Sequence, residues 1–116
     1  KHVMEFNWNI KENKQFVESI LLLKDRKETE AFLRDLLTES ELTEFAKRLE
    51  AARLLSRNTQ YLVISEKTGL SSTTVARISK WLKGPLGGYR LILDRLSNIH
   101  HHNPTKLGKG LSLSRN

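Results

Sequence analysis

Between Ser65 and Lys83 the chain reads SEKTGLSSTTVARISKWLK, and this stretch holds the side chains best suited to chemistry. A glycine, Gly69, is followed by a run of hydroxyls, Ser71, Ser72, Thr73 and Thr74, and then by Arg77, Lys80 and Lys83. Short hydroxyl groups donate and accept hydrogen bonds at close range, and spaced cations attract anions. These are groups for holding a polyanion rather than for making or breaking covalent bonds. Elsewhere the catalytic signals are weak. No histidine is paired with a serine nucleophile. GPLGG lacks the GxxxxGK[ST] spacing of a phosphate loop. Glu39, Glu41, Glu44 and Glu50 alternate with Lys47, Arg48 and Arg53 as partners three and four apart on a solvated helix face. His100, His101 and His102, with no cysteine or paired carboxylates beside them, read as incidental rather than as a metal site. An enzyme is not expected, and no cofactor or metal is implied.

The elements that must position these groups are helical. Val75, Ile78 and Leu82 recur at helix spacing, so the hydroxyls open a helix whose cap is Ser71. A shorter helix precedes it, from about Gln60 to Lys67 with Thr59 as cap, and Gly69 suits the positive φ that ends such a helix. Two short helices with a glycine turn between them form a helix-turn-helix, here over about residues 60–82. Small Ser65 faces the inside of the turn, Leu70 plugs its corner and Val75 packs back. In a DNA-binding pair of this kind the second helix lays its N-terminal residues in the major groove. Base contacts then fall to Ser72, Thr73, Ala76 and Arg77, with Ser71 and Thr74 beside them. Threonine methyls can touch the thymine methyl. Gln60, Tyr61, Lys80 and Lys83 are placed for phosphates, which fix register rather than sequence.

The rest of the chain is also helical in pattern. Phe16, Ile20 and Leu23 recur from about Asn13. After the charged break KDRKE, Thr29 is the expected cap of a helix facing inward through Phe32, Leu33, Leu36 and Leu37. Thr38, with Glu41 three residues on, reads as a capping box for the longest helix. Its stripe is Leu42, Phe45, Leu49 and Ala52. Beyond KGPLGG, a last helix carries Leu86, Tyr89, Leu93 and Leu96 to about Ile99. No strand alternation and no internal repeat are visible. Residues 1–99 read as a single all-helical domain, and 100–116 as a disordered basic tail.

Composition agrees with a polyanionic partner. The net charge of +7 is uneven: residues 1–56 carry −1, residues 57–95 carry +5 and residues 96–116 carry +3. Such asymmetry points to nucleic acid. With 116 residues, a monomer buries a limited core, and a dimer that shares its core is in view. There is no cysteine for a disulfide or a thiolate metal site. No apolar run approaches the ~20 residues of a membrane span. No signal peptide is visible, and a cytoplasmic location is expected.

The runs LLTESELTEFAKRLEAARLL and EKTGLSSTTVARISKWLK together resemble the Trp repressor family over about residues 36–83. The shared marks are Leu37-Thr38, Arg48, Leu54-Leu55, Gly69, Thr74, Arg77, Leu82 and Lys83. GPLGGYRLILDRL is more similar to a Trp-repressor-like branch of Gram-positive and related bacteria than to the tryptophan-sensing branch. The resemblance implies an all-α fold of about six helices, intertwined as a homodimer, with two recognition helices roughly 34 Å apart on double-stranded DNA. A pseudo-palindromic operator, a repressor function and a bacterial, nucleoid-associated protein follow from it. The resemblance also implies an effector pocket at Thr38, Arg48, Arg77, Ile78 and Trp81. Tryptophan-sensing members have a glycine where Ile78 stands and a serine where Trp81 stands. Ile78 fills the space the glycine leaves open, and the Trp81 indole N–H donates only, so it cannot accept from an ammonium. L-tryptophan is therefore not expected as effector. Two other readings stay open: a helix-turn-helix that binds protein, and a replication-initiation type DNA-binding domain.

Overall fold

The computed structural model describes residues 5–101, and among them every regular element is a helix. In chain order these are α1 (Lys11–Leu22), α2 (Arg26–Leu36), α3 (Glu39–Ser56), α4 (Tyr61–Thr68), α5 (Ser72–Lys83) and α6 (Gly88–His101). The chain divides after Leu36 into two compact units.

The first unit holds α1 and α2, and no residue of either helix is buried. Phe16, Val17, Ile20 and Leu21, the apolar side of α1, are all exposed. Thr29 is not the cap of α2. That helix starts earlier, at Arg26, because Asp25 accepts from the Glu28 amide at 2.9 Å while the Glu28 carboxylate accepts from the Lys24 amide at 2.9 Å. The charged break thus contains the cap, and the Thr29 hydroxyl bonds back to the Asp25 carbonyl at 2.9 Å as a mid-helix side chain does.

The second unit is built on α3. Its capping box forms as expected: Thr38 Oγ1 accepts from the Glu41 amide at 3.0 Å, and Glu41 Oε1 accepts from the Thr38 amide at 2.9 Å. Ala51 and Ala52, both fully buried, let α4 and α5 approach the α3 backbone closely. Ile64 of α4 and Val75 and Ile78 of α5 fill that space with no exposed surface, joined by Leu54 and Leu70. Each such side chain contributes roughly 1.5–3 kcal/mol by leaving water. Tyr89 and Leu93 of α6 pack against the same cluster.

The chain leaves α3 through Arg57 and Asn58, and Asn58 adopts a φ of 64°. Asparagine tolerates this left-handed region better than other side chains. The N-cap of α4 is Gln60 rather than Thr59, and no side chain caps it. The last helix runs through His101, past the expected end at Ile99. Residues 102–116, most of the expected tail, lie outside the described residues, as does His102.

Candidate nucleic-acid interface

The turn between α4 and α5 is fastened by three residues in a row. Gly69 ends α4 at φ 79°, with its amide donating to the Ser65 carbonyl at 2.8 Å. Thr68 is buried, and its hydroxyl donates to the Ile64 carbonyl at 2.7 Å while accepting from the Leu70 amide at 3.2 Å. Leu70 then turns into the core. Ser65 is half-buried, and its hydroxyl is buried without a partner, as a residue chosen for small size would be.

These restraints set the rotation of α5. Val75, Ile78, Ser79 and Leu82 face inward. Ser72, Thr73, Ala76, Arg77, Lys80 and Lys83 are exposed. The four hydroxyls at the start of the helix divide into two pairs. Ser71 accepts from the Thr74 amide at 3.1 Å and bonds the Thr74 hydroxyl at 3.0 Å, which commits both side chains to the cap. Ser72 and Thr73 remain open to solvent beside Ala76 and Arg77.

Charge is arranged to match. The first turns of α1, α2 and α3 each carry a glutamate, whereas those of α4 and α5 carry no acid. A helix N-terminus bears partial positive charge that an acid in the first turn would offset. In α4 and α5, as in α6, no first-turn acid offsets it. Lys80 and Lys83 sit in the last turn of α5, where they also complement the dipole. Tyr61 is exposed at the first position of α4, next to exposed Gln60.

Two clefts flank α5. One, of about 250 Å³, lies between the entry to α4 and the second half of α5, and its lining includes Asn58, Gln60, Tyr61, Ser79 and Lys83. The other, of about 300 Å³, is apolar and formed by Trp81, Gly84, Pro85, Leu86, Gly88 and Tyr89. Tyr89 is half-buried, and that burial holds its phenol above the usual range even with Arg48 acting in the opposite sense.

The five residues of the expected effector pocket do not gather around either cleft. Only Trp81 lines the apolar one. Ile78 has no exposed surface. Arg48 is held on α3, where its Nε donates to Glu44 at 3.3 Å and its guanidinium lies 5.6 Å from the centre of the Phe45 ring. The Thr38 hydroxyl is occupied in the capping box. Arg77 stands on the exposed side of α5.

Two residues near this surface were not singled out from the sequence. Ser79 is one; its place on the stripe of Val75, Ile78 and Leu82 was a usable signal. Arg90 is the other, a cation of α6 that donates to the main-chain oxygens of Leu82 and Gly84 at the end of α5. No local pattern marks a contact eight residues back.

Residues 11–97 match the Trp repressor protein family. YerC of Bacillus subtilis, an uncharacterized protein, is 36% identical over 96 residues, which is 83% of this chain and 92% of YerC. Among solved structures, a TrpR-like protein from Eubacterium eligens superposes with a TM-score of 0.72 at 33% identity, covering 78% of this chain and 93% of that one. A candidate Trp repressor from Staphylococcus aureus gives a TM-score of 0.67 at 30% identity, covering 72% of this chain and 84% of that one. No helix among the described residues is long and apolar enough to cross a membrane.

Proposed function

Since the chain belongs to the Trp repressor family, a family of DNA-binding regulators with a Trp-repressor-like all-helical fold, we propose that it is a sequence-specific transcriptional repressor acting as a homodimer on a pseudo-palindromic operator. The observation that carries this reading is the outward side of α5. There Ser72, Thr73, Ala76 and Arg77 stand exposed behind an acid-free helix start, with Lys80 and Lys83 beyond them. Ser72, Thr73 and Ala76 are short enough to let the helix approach base edges closely, and Arg77 can reach a guanine edge. Lys80, Lys83, Gln60 and Tyr61 contact phosphates, while Ser71 and Thr74 hold the end of the helix in shape. The exposed apolar side of α1 supports the homodimer, because a second copy would cover it.

Free L-tryptophan is not the effector in this reading. Ile78, with no exposed surface, stands where tryptophan-sensing members have a glycine, and Arg48 is engaged by Glu44. Selection of bound duplexes from a random pool tests the proposal. A two-fold symmetric consensus, bound with a steep loss of affinity at rising salt, is the expected result. Binding that ignores both sequence and salt would overturn it.

A further inference from the structure

A third cleft, of about 330 Å³, lies between α3 and the end of α4, and no residue of α5 lines it. It shares no residue with the expected effector pocket or with the surface assigned to DNA. Thr43, Ala46, Lys47 and Glu50 enter it from one stripe of α3, where residues three and four apart are neighbours. Lys67 and Thr68 enter it from the last turn of α4. Two ammonium groups thus reach one cleft from two helices, and neither forms a salt bridge among the described residues. The Lys47 ammonium comes up to the turn, where a Cβ on Gly69 would lie 3.8 Å from it. Lys67 acts on Glu50 only as a nearby charge. Both oxygens of that carboxylate are already taken by the Arg53 guanidinium, at 2.8 and 2.7 Å, so its charge is matched without either lysine. Thr68 offers the cleft only its methyl group, because its hydroxyl is used by the Ile64 carbonyl and the Leu70 amide.

One lysine would complement the dipole at the end of α4 as well as two do, and two like charges in one cleft repel each other. A ligand carrying two negative charges relieves that repulsion. Lysine binds as a compact point charge rather than as a flat fork, which suits two separate carboxylates better than one shared oxyanion. The rest of the lining, Thr43, Ala46 and the Thr68 methyl, is small and largely aliphatic, as the body of a small-molecule site usually is. We propose that this cleft binds a small dicarboxylate with a short aliphatic spacer. Lys47 and Lys67 take one carboxylate each, and Ala46 and Thr43 meet the spacer. The site does not rest on the function proposed above, since no residue assigned to DNA takes part in it.

The test is amide chemical-shift titration of the full chain with glutarate, butyrate and inorganic phosphate, each replacing chloride at constant ionic strength. The expected result is a joint, saturable movement of the Thr43, Ala46, Lys47, Lys67 and Thr68 amides with glutarate. Butyrate has a similar body and one carboxylate fewer, so it should need about tenfold more to reach half-saturation, the loss expected for one hydrogen bond between charged groups. Lys47→Met and Lys67→Met should each weaken glutarate by the same factor. Methionine keeps an unbranched stem and a similar helix propensity, so an unchanged urea midpoint shows that the fold is intact. Lys67→Arg, which keeps the charge, should retain most of the affinity. Equal responses to glutarate and butyrate would overturn the proposal, as would glutarate binding undiminished in both methionine variants or no saturable movement at all. Phosphate moving these amides at lower concentration than glutarate would make the cleft a general oxyanion site and also overturn it. Movement with a selected duplex but not with glutarate would make the cleft a backbone contact, in which case the DNA reading stands and the dicarboxylate site falls.

Discussion

The guanidinium of Arg90 on α6 donates through Nη1 to the main-chain oxygen of Gly84, 2.9 Å away and just beyond the end of α5. The same nitrogen donates to the Leu82 carbonyl. The last carbonyls of a helix have no acceptor role left within it, and a cation there also meets the negative end of the dipole. Arg90 therefore fixes where α5 ends and ties it to α6, as Ser71 and Thr74 fix where it begins. The approach of Arg90 is close: a Cβ placed on Gly87 would lie 3.2 Å from its Nη2. Arg90→Met, which keeps the stem and removes the donors, should destabilise the protein by about 1–2 kcal/mol, as seen by a lower urea midpoint at unchanged slope. Arg90→Lys should recover part of the loss, since one donor and the charge remain.

The turn before α5 gives a second prediction. Gly69 has φ 79°, and a Cβ there would meet only the Lys47 ammonium at an ordinary 3.8 Å. Space is not the obstacle; the backbone conformation is. Gly69→Ala should cost roughly 1–2 kcal/mol, the penalty of a left-handed residue bearing a side chain. Thr68→Val, which leaves the Leu70 amide without its acceptor in a buried place, should cost about 1–3 kcal/mol. Thermal unfolding followed by circular dichroism measures both.

The proposed DNA-reading surface gives a third. Thr73 is exposed, and its hydroxyl takes no part in the cap made by Ser71 and Thr74. An aspartate near the start of α5 is favourable for the helix, so Thr73→Asp should keep full helicity. Facing a phosphate-lined groove, it should lower duplex affinity by at least about tenfold in a gel shift. Unchanged affinity would show that α5 does not read DNA. In the same preparation, millimolar L-tryptophan should give no binding heat in calorimetry; a micromolar site would mean that Ile78 and Arg48 move aside.

Much of this arrangement was legible in the sequence because it is local. The Thr38–Glu41 box, the Ser71 cap, the glycine turn and the α5 stripe each rest on residues within one or two turns of each other. Thr29 reads as a cap because it sits next to an apolar run, while Asp25, the better cap, lies hidden in a stretch that has the pattern of a charged break. The α4 cap lies one residue beyond Thr59, at Gln60, which makes no side-chain bond that would mark it. The contacts of Arg90 and the orientation of Ser79 depend on how α5 meets α6 and α4. No spacing within a single helix encodes such a meeting.

Glu50 and Arg53 yield a prediction about pH. The Arg53 guanidinium donates to both carboxylate oxygens of Glu50, at 2.8 and 2.7 Å, and this hydrogen bonding holds the Glu50 carboxyl below its ordinary value of 4.5. A carboxyl with a folded pKa below its unfolded one stabilises the fold above the unfolded value. That contribution is lost as pH falls through the lowered, folded value. Glu50→Gln should therefore be slightly less stable than the parent at neutral pH, and the two should converge in acid. Both side chains are more than 40% exposed, so solvent screening keeps the difference to a fraction of a kcal/mol. Urea midpoints measured from pH 7 down to acid follow the convergence.

The first helix supplies the last prediction. Phe16 is 49% exposed, Ile20 43% and Leu21 76%; on α1, Phe16 and Ile20 are four residues apart and Leu21 adjoins Ile20. A run of large apolar groups left in water on one helix is a surface awaiting a partner. Symmetric pairing would bury this patch and bring two α5 helices to one duplex. Ile20→Glu puts a charge into the proposed contact without altering helix propensity against the protein, since glutamate is the better helix former. Sedimentation should then show the parent chain at twice its 13.4 kDa mass and the variant shifted toward a single chain. The variant should also lose affinity for a two-half-site duplex far more than for a single half-site. A parent chain that sediments as one copy at tens of micromolar and still binds the symmetric duplex tightly would rule out the homodimer.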